Sequence, residues 1–468
     1  MEFLSTFFST ISGLGKYLMV PLMVALIGIA FKCNVNKAVK GGITVGIGLF
    51  GLDLALSIVS NYLGPVATGL VGKANLNLDV IDVGWTALSG IAYGTEIGAF
   101  IIPLMLAFNL IMLAVGATKT MDIDIWNFWH YALTGSLIYV ITNNLFFGLL
   151  AALAHAAVIF LIADRTAKRV QEVIGIPGIS IPHGGCLGQW IVGFILEPLY
   201  NLLGKGKTGE EKTISQTNAK KLQDNPVLKV IKDPIYLGFI LGTVIAFIGG
   251  QDAKTSFTTG MAMSALLYLT PRMVKILMEG LVPISQACSK IMAEKNKSGE
   301  LYIGMDNAVG LGHTTVMLIS VIAIPVCVAL CAIVPGNRII PIASLAACGY
   351  NCSMLNVVHR GKVGRTLLSC TIFLALTLVI ASIMAPKITE VALSSGYTWS
   401  QSEYTLISAI SGTLWSTFPL FLLFNINSTI GAVCCLAIII ACVVLQKIYF
   451  KKKMQSAAEL AKAEKQDH

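Results

Sequence analysis

A bilayer interior offers no hydrogen-bond partner to a peptide group. A chain made of long apolar runs must therefore fold them as helices packed on one another. Each crossing needs about 20 apolar residues. Eleven such runs are legible, at about 9–31, 41–64, 95–117, 125–142, 144–163, 231–249, 255–281, 304–334, 338–358, 365–385 and 427–447. Composition agrees, with 55% hydrophobic residues, only 12% charged and a mean hydropathy of +0.77; a soluble chain carries about 25% charged residues. The net charge of +9 is spread over short loops rather than gathered in a patch, which argues against a nucleic-acid partner.

The runs form one unit written twice. Residues 9–203 and 231–424 each hold five spans followed by a half-apolar stretch broken by Gly and Pro. The span starts at Asp124 and Arg338, and the polar insertions at 94–98 and 304–310, lie roughly 210–215 residues apart. Five crossings leave the chain on the opposite side, so the second unit must be inverted, and in inverted repeats the site lies between the halves. The broken stretches, residues 174–203 and 396–424, read as re-entrant hairpins, with helices lying on the bilayer surface as the alternative. The expected fold class is an all-α polytopic membrane protein with about 11 transmembrane helices, two re-entrant hairpins and two inverted five-helix repeats.

Basic loops follow span one (Lys32, Lys37, Lys40), span five (Arg165, Lys168, Arg169) and span nine (Arg360, Lys362, Arg365). Placed in the cytosol, they put the N-terminus outside and the C-terminus inside. The start, MEFLSTFFST, lacks a basic region and reads as an uncleaved first segment. Cysteines four apart in apolar runs (Cys327 and Cys331, Cys348 and Cys352) read as packing groups. The histidines show no metal-ligand spacing, so no metal and no cofactor is expected. The chain has no GxxxxGK[ST] loop and no loop large enough for a catalytic domain. An activated group would have to come from another protein.

Polar groups within the spans are costly in lipid and so mark candidate sites. In DIDIWNFWHYALTG, from Asp122, helical spacing puts Trp126, Trp129 and His130 on one face beside Asn127 and Tyr131. Indole faces suit the C–H side of a sugar, and amide and imidazole suit its hydroxyls; an aromatic belt at the membrane interface is the other reading. In ISIPHGG, His183 stands at a hairpin tip between Pro182 and two glycines. In GMDNAVGLGHTTV, Asp306 enters an apolar run with Asn307 beside it and His313 beyond; a helix cap is the alternative role. Glu96, in GTEIG, is its counterpart in the first unit. Asp53 and Arg272 suit an ion pair or snorkelling side chains better.

These residues resemble a family. The runs VIDVGW from Val80, DIDIWNFWH, IPHG, GMDNAVGLGHTTV, VPGNRIIP from Val334 and VVHRGKVGRT from Val357 resemble the galactitol-type membrane component (IIC) of the bacterial phosphoenolpyruvate-dependent sugar phosphotransferase system, over about residues 10–450. SIPH and the PISQ of residues 283–286 resemble, more distantly, the ascorbate permease of the same superfamily. The resemblance implies inward transport of a polyol or sugar while a cytosolic IIB partner, recharged through IIA, HPr and enzyme I, phosphorylates it from a phosphocysteine. The chain itself would be the non-phosphorylated membrane subunit, not catalytic alone. The resemblance also implies a homodimer in the bacterial plasma membrane and elevator-like transport. It divides the transmembrane domain (1–450) into a scaffold (about 9–64 and 231–281) and a mobile core (about 77–203 and 300–447), with a cytosolic loop at 204–230 and a cytosolic tail at 451–468. His183 corresponds to the hairpin histidine shared with the ascorbate type; Asn127, His130, Asp306 and His313 match polar motif positions of the galactitol type.

There are departures. After PGN the galactitol pattern runs Pro-Phe-Gly-Asp, whereas here Pro341 precedes Ile342, Ala343 and Ser344. Around Glu96 the pattern has an amide, and after IPHG it has small hydroxyl residues where this chain has Gly185 and Cys186. The substrate is therefore open among galactitol, other polyols and sugars. The transferred hydroxyl needs a base, for which His183 and Asp306 are the candidates. An ion-coupled polyol transporter using Glu96 and Asp306, or a scaffold or receptor protein without a solute, are the rival functions. Residues 204–233, with seven Lys against two Glu and two Asp, are a plausible dock for an acidic partner.

Overall fold

The computed structural model describes residues 16–73, 78–122, 124–204, 234–295, 301–341, 343–397 and 406–466. Helices α1 (Lys16–Ala30) and α2 (Val35–Lys73) lead to strand β1 (Val80–Asp82), then α3 (Gly84–Tyr93), α4 (Glu96–Ala114), β2 (Thr120–Asp122) and a 3₁₀ turn, Ile125–Phe128. Next come α5 (Trp129–Thr142), α6 (Leu145–Ile174), β3 (Ile179–Ser180), α7 (Leu187–Gly204), α8 (Pro234–Ile248) and α9 (Ala253–Lys295). The last part runs β4 (Tyr302–Gly304), 3₁₀ turn Asn307–Gly312, α10 (Thr314–Ile333), β5 (Ile339–Ile340), 3₁₀ turn Ala343–Gly349, α11 (Ser353–Val358), α12 (Val363–Ser394), β6 (Leu406–Ser408), α13 (Thr413–Ile426) and α14 (Ser428–Gln466).

The fold is mostly helical, as the apolar runs require. Leu145–Ile174, Val363–Ser394 and Ser428–Lys453 are long and apolar enough to cross a membrane. Exposed apolar side chains recur at helical spacing on the outer faces, as with Leu18, Leu22 and Leu26 on α1 and Ile43, Ile47, Phe50 and Leu54 on α2. In water such stripes would be liabilities; against lipid tails they are the matching surface. Local signals set the joints. Asn143 adopts the left-handed conformation that ends α5, and Asn144 caps α6 by accepting from Phe147 N at 3.2 Å.

Two features depart from the all-helical expectation. Among the described residues, six short strands form two parallel three-stranded sheets, ordered β5-β1-β6 and β2-β4-β3. Runs of two or three residues are too short to show an alternating pattern in sequence. Pairing satisfies backbone that would otherwise be orphaned inside the protein. The runs at 304–334 and 338–358 are also broken. The first is a strand, a 3₁₀ turn and α10, and the second a strand, a 3₁₀ turn and the six-residue α11. Gly349 and buried Asn351, Ser353 and Asn356 interrupt the second run, and their polar groups serve better at a turn than in a lipid-facing helix.

Helices α1, α2, α8 and α9 pack mainly on one another. Where α2 crosses α9, a Cβ at Gly41 or Gly280 would lie 2.6 Å from the other residue's carbonyl oxygen, so only glycine permits that approach. Helices α5, α6, α12 and α13 enclose the second body of contacts, around the buried Phe128, Trp129, Tyr131, Phe160 and Phe373. Residues 205–233 and 398–405, which include the proposed partner loop and the start of the second predicted hairpin, lie outside the described residues, as do residues 1–15.

Candidate functional site

The β2-β4-β3 sheet brings the site together. Its register sets Asp122 and Ser180 on either side of Gly304. Three parallel strands therefore end side by side, and the residues just past those ends are Asp124, Asp306 and His183. Ligands of parallel sheets commonly bind beyond the carboxyl ends of the strands. Asp124 and Asp306 are close enough to interact electrostatically. His183 Nε2 lies 3.6 Å from Asp306 Oδ1, and 3.2 Å from His130 Nε2 at the start of α5.

Hydrogen bonding fixes the histidine tautomers. A backbone N–H can only donate, and that of Gly185 meets His183 Nδ1 at 3.1 Å. The ring proton of neutral His183 therefore sits on Nε2 and points at His130 and Asp306. His130 Nε2 is then an acceptor, and its Nδ1 donates to Thr413 Oγ1 at 2.5 Å. His155, on α6, donates from Nε2 to the Gly184 carbonyl at 3.2 Å and accepts at Nδ1 from Thr134 Oγ1 at 2.8 Å. Asp306 Oδ1 accepts from Ala308 N at 2.8 Å, so it caps the 3₁₀ turn as well. Among the described residues its Oδ2 has no hydrogen-bond donor.

The turn at residues 181–186, the tip of the segment between β3 and α7, is seated by short contacts. The Tyr131 hydroxyl donates to the Pro182 carbonyl at 3.2 Å, and Ser416 Oγ donates to the Gly184 carbonyl at 2.8 Å. A side chain at Gly412 would collide with the Gly185 carbonyl, so this tip rests directly on the backbone that opens α13.

The sequence candidates divide accordingly. His130, His183 and Asp306 converge, and Asn127 joins them through Asp124, donating Nδ2 to Asp124 Oδ2 at 2.5 Å. Trp126 and Trp129 are buried in protein rather than placed at a lipid interface; Trp129 packs its ring 3.9 Å from His130, centroid to centroid. Asn307 faces away, donating to the Tyr350 carbonyl at 2.9 Å and accepting from the Ser353 hydroxyl. His313 caps α10, accepting from Thr315 N at 3.2 Å, beside the loop at Gly361. Glu96 is exposed in the first turn of α4, where it accepts from the Tyr139 hydroxyl. Tyr139 stands nine residues past His130 on α5, about 13 Å along the axis, so Glu96 is not brought to the cluster.

Four contributors were not singled out from sequence. Asp124 was read only as the start of a span. His155 carried the available signal of a polar residue inside an apolar run. Thr413 and Ser416 look like ordinary helix residues until α13 is placed. In the other sheet, Asp82 accepts from Gly84 N at 3.0 Å and from Ser344 N and Oγ at 2.6 Å each. Ser344, within the departing segment, thus ties the end of β1 to the 3₁₀ turn that follows β5; Ile342 lies outside the described residues. Among the described residues no three His, Cys, Asp or Glu side chains group as for a metal ion.

Comparison with known proteins adds the family. A relative in Escherichia coli (strain K12), described provisionally as a permease IIC component with no substrate named, is 36% identical over 406 residues, covering 86% of this chain and 90% of its own. The PTS system galactitol-specific EIIC component of the same organism is 30% identical over 385 residues, covering 82% and 83%. The family model described as the PTS system sugar-specific permease component matches residues 10–403, and the chain belongs to that family, EIIC-GAT.

Proposed function

We propose that the protein carries a polyol or sugar, galactitol or a relative of it, across the bacterial inner (plasma) membrane while a cytosolic IIB partner phosphorylates it. The observation that carries this reading is the convergence of His183, Asp306, Asp124 and His130 beyond the ends of three strands. The substrate hydroxyl attacks the phosphorus of the IIB phosphocysteine in line. The new O–P bond forms as the P–S bond breaks, and the thiolate leaves on IIB. The hydroxyl proton goes to Asp306, whose Oδ2 is open. His183 is the second catalytic residue: its Nε2–H, which faces His130 and Asp306 here, passes to the reacting oxygen when substrate binds between them. Of the two bases the sequence left open, the tautomer favours Asp306, because Gly185 occupies the one lone pair of the His183 ring. His130 and Asn127 supply further partners for hydroxyls. The phosphorylated product is charged and cannot return through the apolar barrier, which gives direction without ion coupling.

Several observations support the finer architecture. A similar order of elements runs from Val80 to Gly204 and again from Tyr302 to Ile426, and the two sheets exchange their first strands: β1 lies between β5 and β6, β4 between β2 and β3. Such an exchange suits two inverted repeats, each ending in a re-entrant hairpin. The separate packing of α1, α2, α8 and α9 suits a scaffold against which a core moves as an elevator, with the scaffold as the seat of a homodimer. On this reading the N-terminus lies outside and the C-terminus in the cytosol, as the basic loops suggest, and the basic segment 204–233 would meet IIB and IIA there.

The test is uptake of labelled polyols and sugars in cells with and without the cognate IIB. Uptake that requires IIB and yields a phosphorylated product supports the reading and names the substrate. Uptake that persists without IIB and follows a proton or sodium gradient would replace it with ion-coupled transport. His183→Ala should reduce phosphorylation more than substrate binding, and equal losses would remove His183 from the chemistry. Asp306→Asn should abolish phosphorylation at normal expression; normal turnover would remove the base.

A further inference from the structure

The proposed chemistry uses the Nε2 edge of His183. The opposite edge is governed by one peptide group, that between Gly184 and Gly185. Its N–H donates to His183 Nδ1 at 3.1 Å, and its carbonyl accepts from His155 Nε2 at 3.2 Å and Ser416 Oγ at 2.8 Å. A peptide group is a rigid plane. The N–H cannot turn away from His183 unless the carbonyl also leaves its two donors. Glycine on both sides of the bond offers no Cβ to resist that rotation, so the restraint must come from outside the tip.

Both donors are themselves fixed. His155 is buried; the Gly184 carbonyl at its Nε2 can only accept, so the proton sits there, and Nδ1 accepts from Thr134 Oγ1 at 2.8 Å. Thr134 also meets Thr417 Oγ1 at 2.7 Å, one turn from Thr413 on α13. Ser416 is buried on the same helix. The clamp thus joins α6 and α13 across the tip.

We propose that His155 and Ser416 are positioning residues that lock the Gly184–Gly185 peptide and thereby hold the His183 proton on Nε2. Which ring nitrogen of a histidine carries the proton is set by what the other nitrogen meets. If the peptide turned over, the Gly184 carbonyl would face Nδ1 and draw the proton there. Nε2 would then present a lone pair toward the Asp306 carboxylate, and the donor that faces the substrate would be lost. The kinetic part of this inference rests on the proposed role of His183, whereas the tautomer itself does not.

The experiment takes the full chain, labelled with ¹⁵N-histidine and reconstituted in liposomes, with the His183 signals assigned by difference against His183→Asn. Wild type should show the Nε2–H form. In the double variant His155→Phe with Ser416→Ala, the Nδ1–H form should appear. The kcat for phosphorylation with phosphorylated IIB should fall on the order of 10–100-fold, with KM within about threefold. His155→Gln and Ser416→Thr, which retain donors, should restore both readings. An unchanged His183 signature in the double variant overturns the proposal, as does a raised KM with kcat intact. If the double variant does not fold, Ser416→Ala alone is read by the same two criteria. Full phosphorylation by His183→Ala would instead end the catalytic role of His183, and the tautomer measurement would still decide the clamp.

Discussion

Gly304 is the central residue of the sheet that assembles the site, and it has no room for a side chain. A Cβ there would lie 2.7 Å from Pro182 Cγ, 2.9 Å from Asp122 Cα and 2.9 Å from the Met121 carbonyl oxygen. Ordinary contact begins at 3.4 Å, so the neighbours on the two flanking strands must each retreat by about 0.5–0.7 Å. Two of the three obstructing atoms are backbone, so no side-chain rotation relieves the clash. Gly304 has no positive φ, and the effect of Gly304→Ala is therefore steric rather than conformational. The retreat separates Asp124 on one side from His183 on the other, with Asp306 between them. A misplacement of about 1 Å costs roughly 100-fold in rate, so half to two-thirds of that predicts a loss of about 10–20-fold in kcat for phosphorylation. Overpacking should also cost ~1–3 kcal/mol of stability. The assay is phosphotransfer from IIB to substrate in membranes, with heat-induced loss of the monodisperse protein peak as the stability measure. Gly90→Ala, where nothing lies within 4 Å of the added Cβ, serves as the control and should behave as wild type. Gly304→Ala with wild-type kcat would show that strand-end geometry does not position the reacting groups.

Three further outcomes follow from particular contacts. The Asp164 carboxylate accepts from Thr118 Oγ1, Thr120 Oγ1, Lys119 N and Gln446 Nε2, the last at 2.6 Å, which pins α14 to α6 and β2; Gln446→Ala should cost ~1.5–3 kcal/mol, and an unaltered melting point would refute that role. Arg338 donates from Nε to Asp79 Oδ1 at 2.8 Å and holds the Asp79 carboxyl below its usual range. The stability contribution of that pair is present above about pH 4 and fades as pH falls through the lowered value, so the melting-point gap between wild type and Arg338→Gln should hold down to about pH 4 and narrow from there to pH 3. A gap constant over that interval would contradict the assignment, and its size should be small because both side chains are partly exposed. Glu96→Gln should leave uptake unchanged, since Glu96 lies on the surface beside Tyr139; a loss of uptake there would reopen the ion-coupled alternative.

Much of the site was legible as motif but not as arrangement. ISIPHGG announced a tip, because a histidine between proline and two glycines has no place inside a helix. GMDNAVGLGHTTV announced an acid entering an apolar run, yet it gave equal standing to Asp306, Asn307 and His313. The structure separates them by direction alone. Asp306 faces His183, Asn307 turns to Tyr350 and Ser353, and His313 caps α10. Glu96 lies away from Asp306, beside Tyr139, for the same reason: spacing along the chain does not determine which way a side chain points.

The sequence by itself determined that the chain is a mostly helical membrane protein and which family it resembles. Those follow from hydropathy and local motifs, which act through the cost of placing each residue in lipid or water. Only the tertiary structure decided that strands of two or three residues align Asp124, Asp306 and His183, that His155 and Ser416 hold the tip, and that Gly185 fixes the tautomer of His183. The first two depend on contacts between distant segments, 29 and 232 residues apart for the two donors to the tip, and the third, though local, depends on the peptide group that those donors hold. Such contacts have no local period or propensity to betray them, and they exist only once the helices have packed.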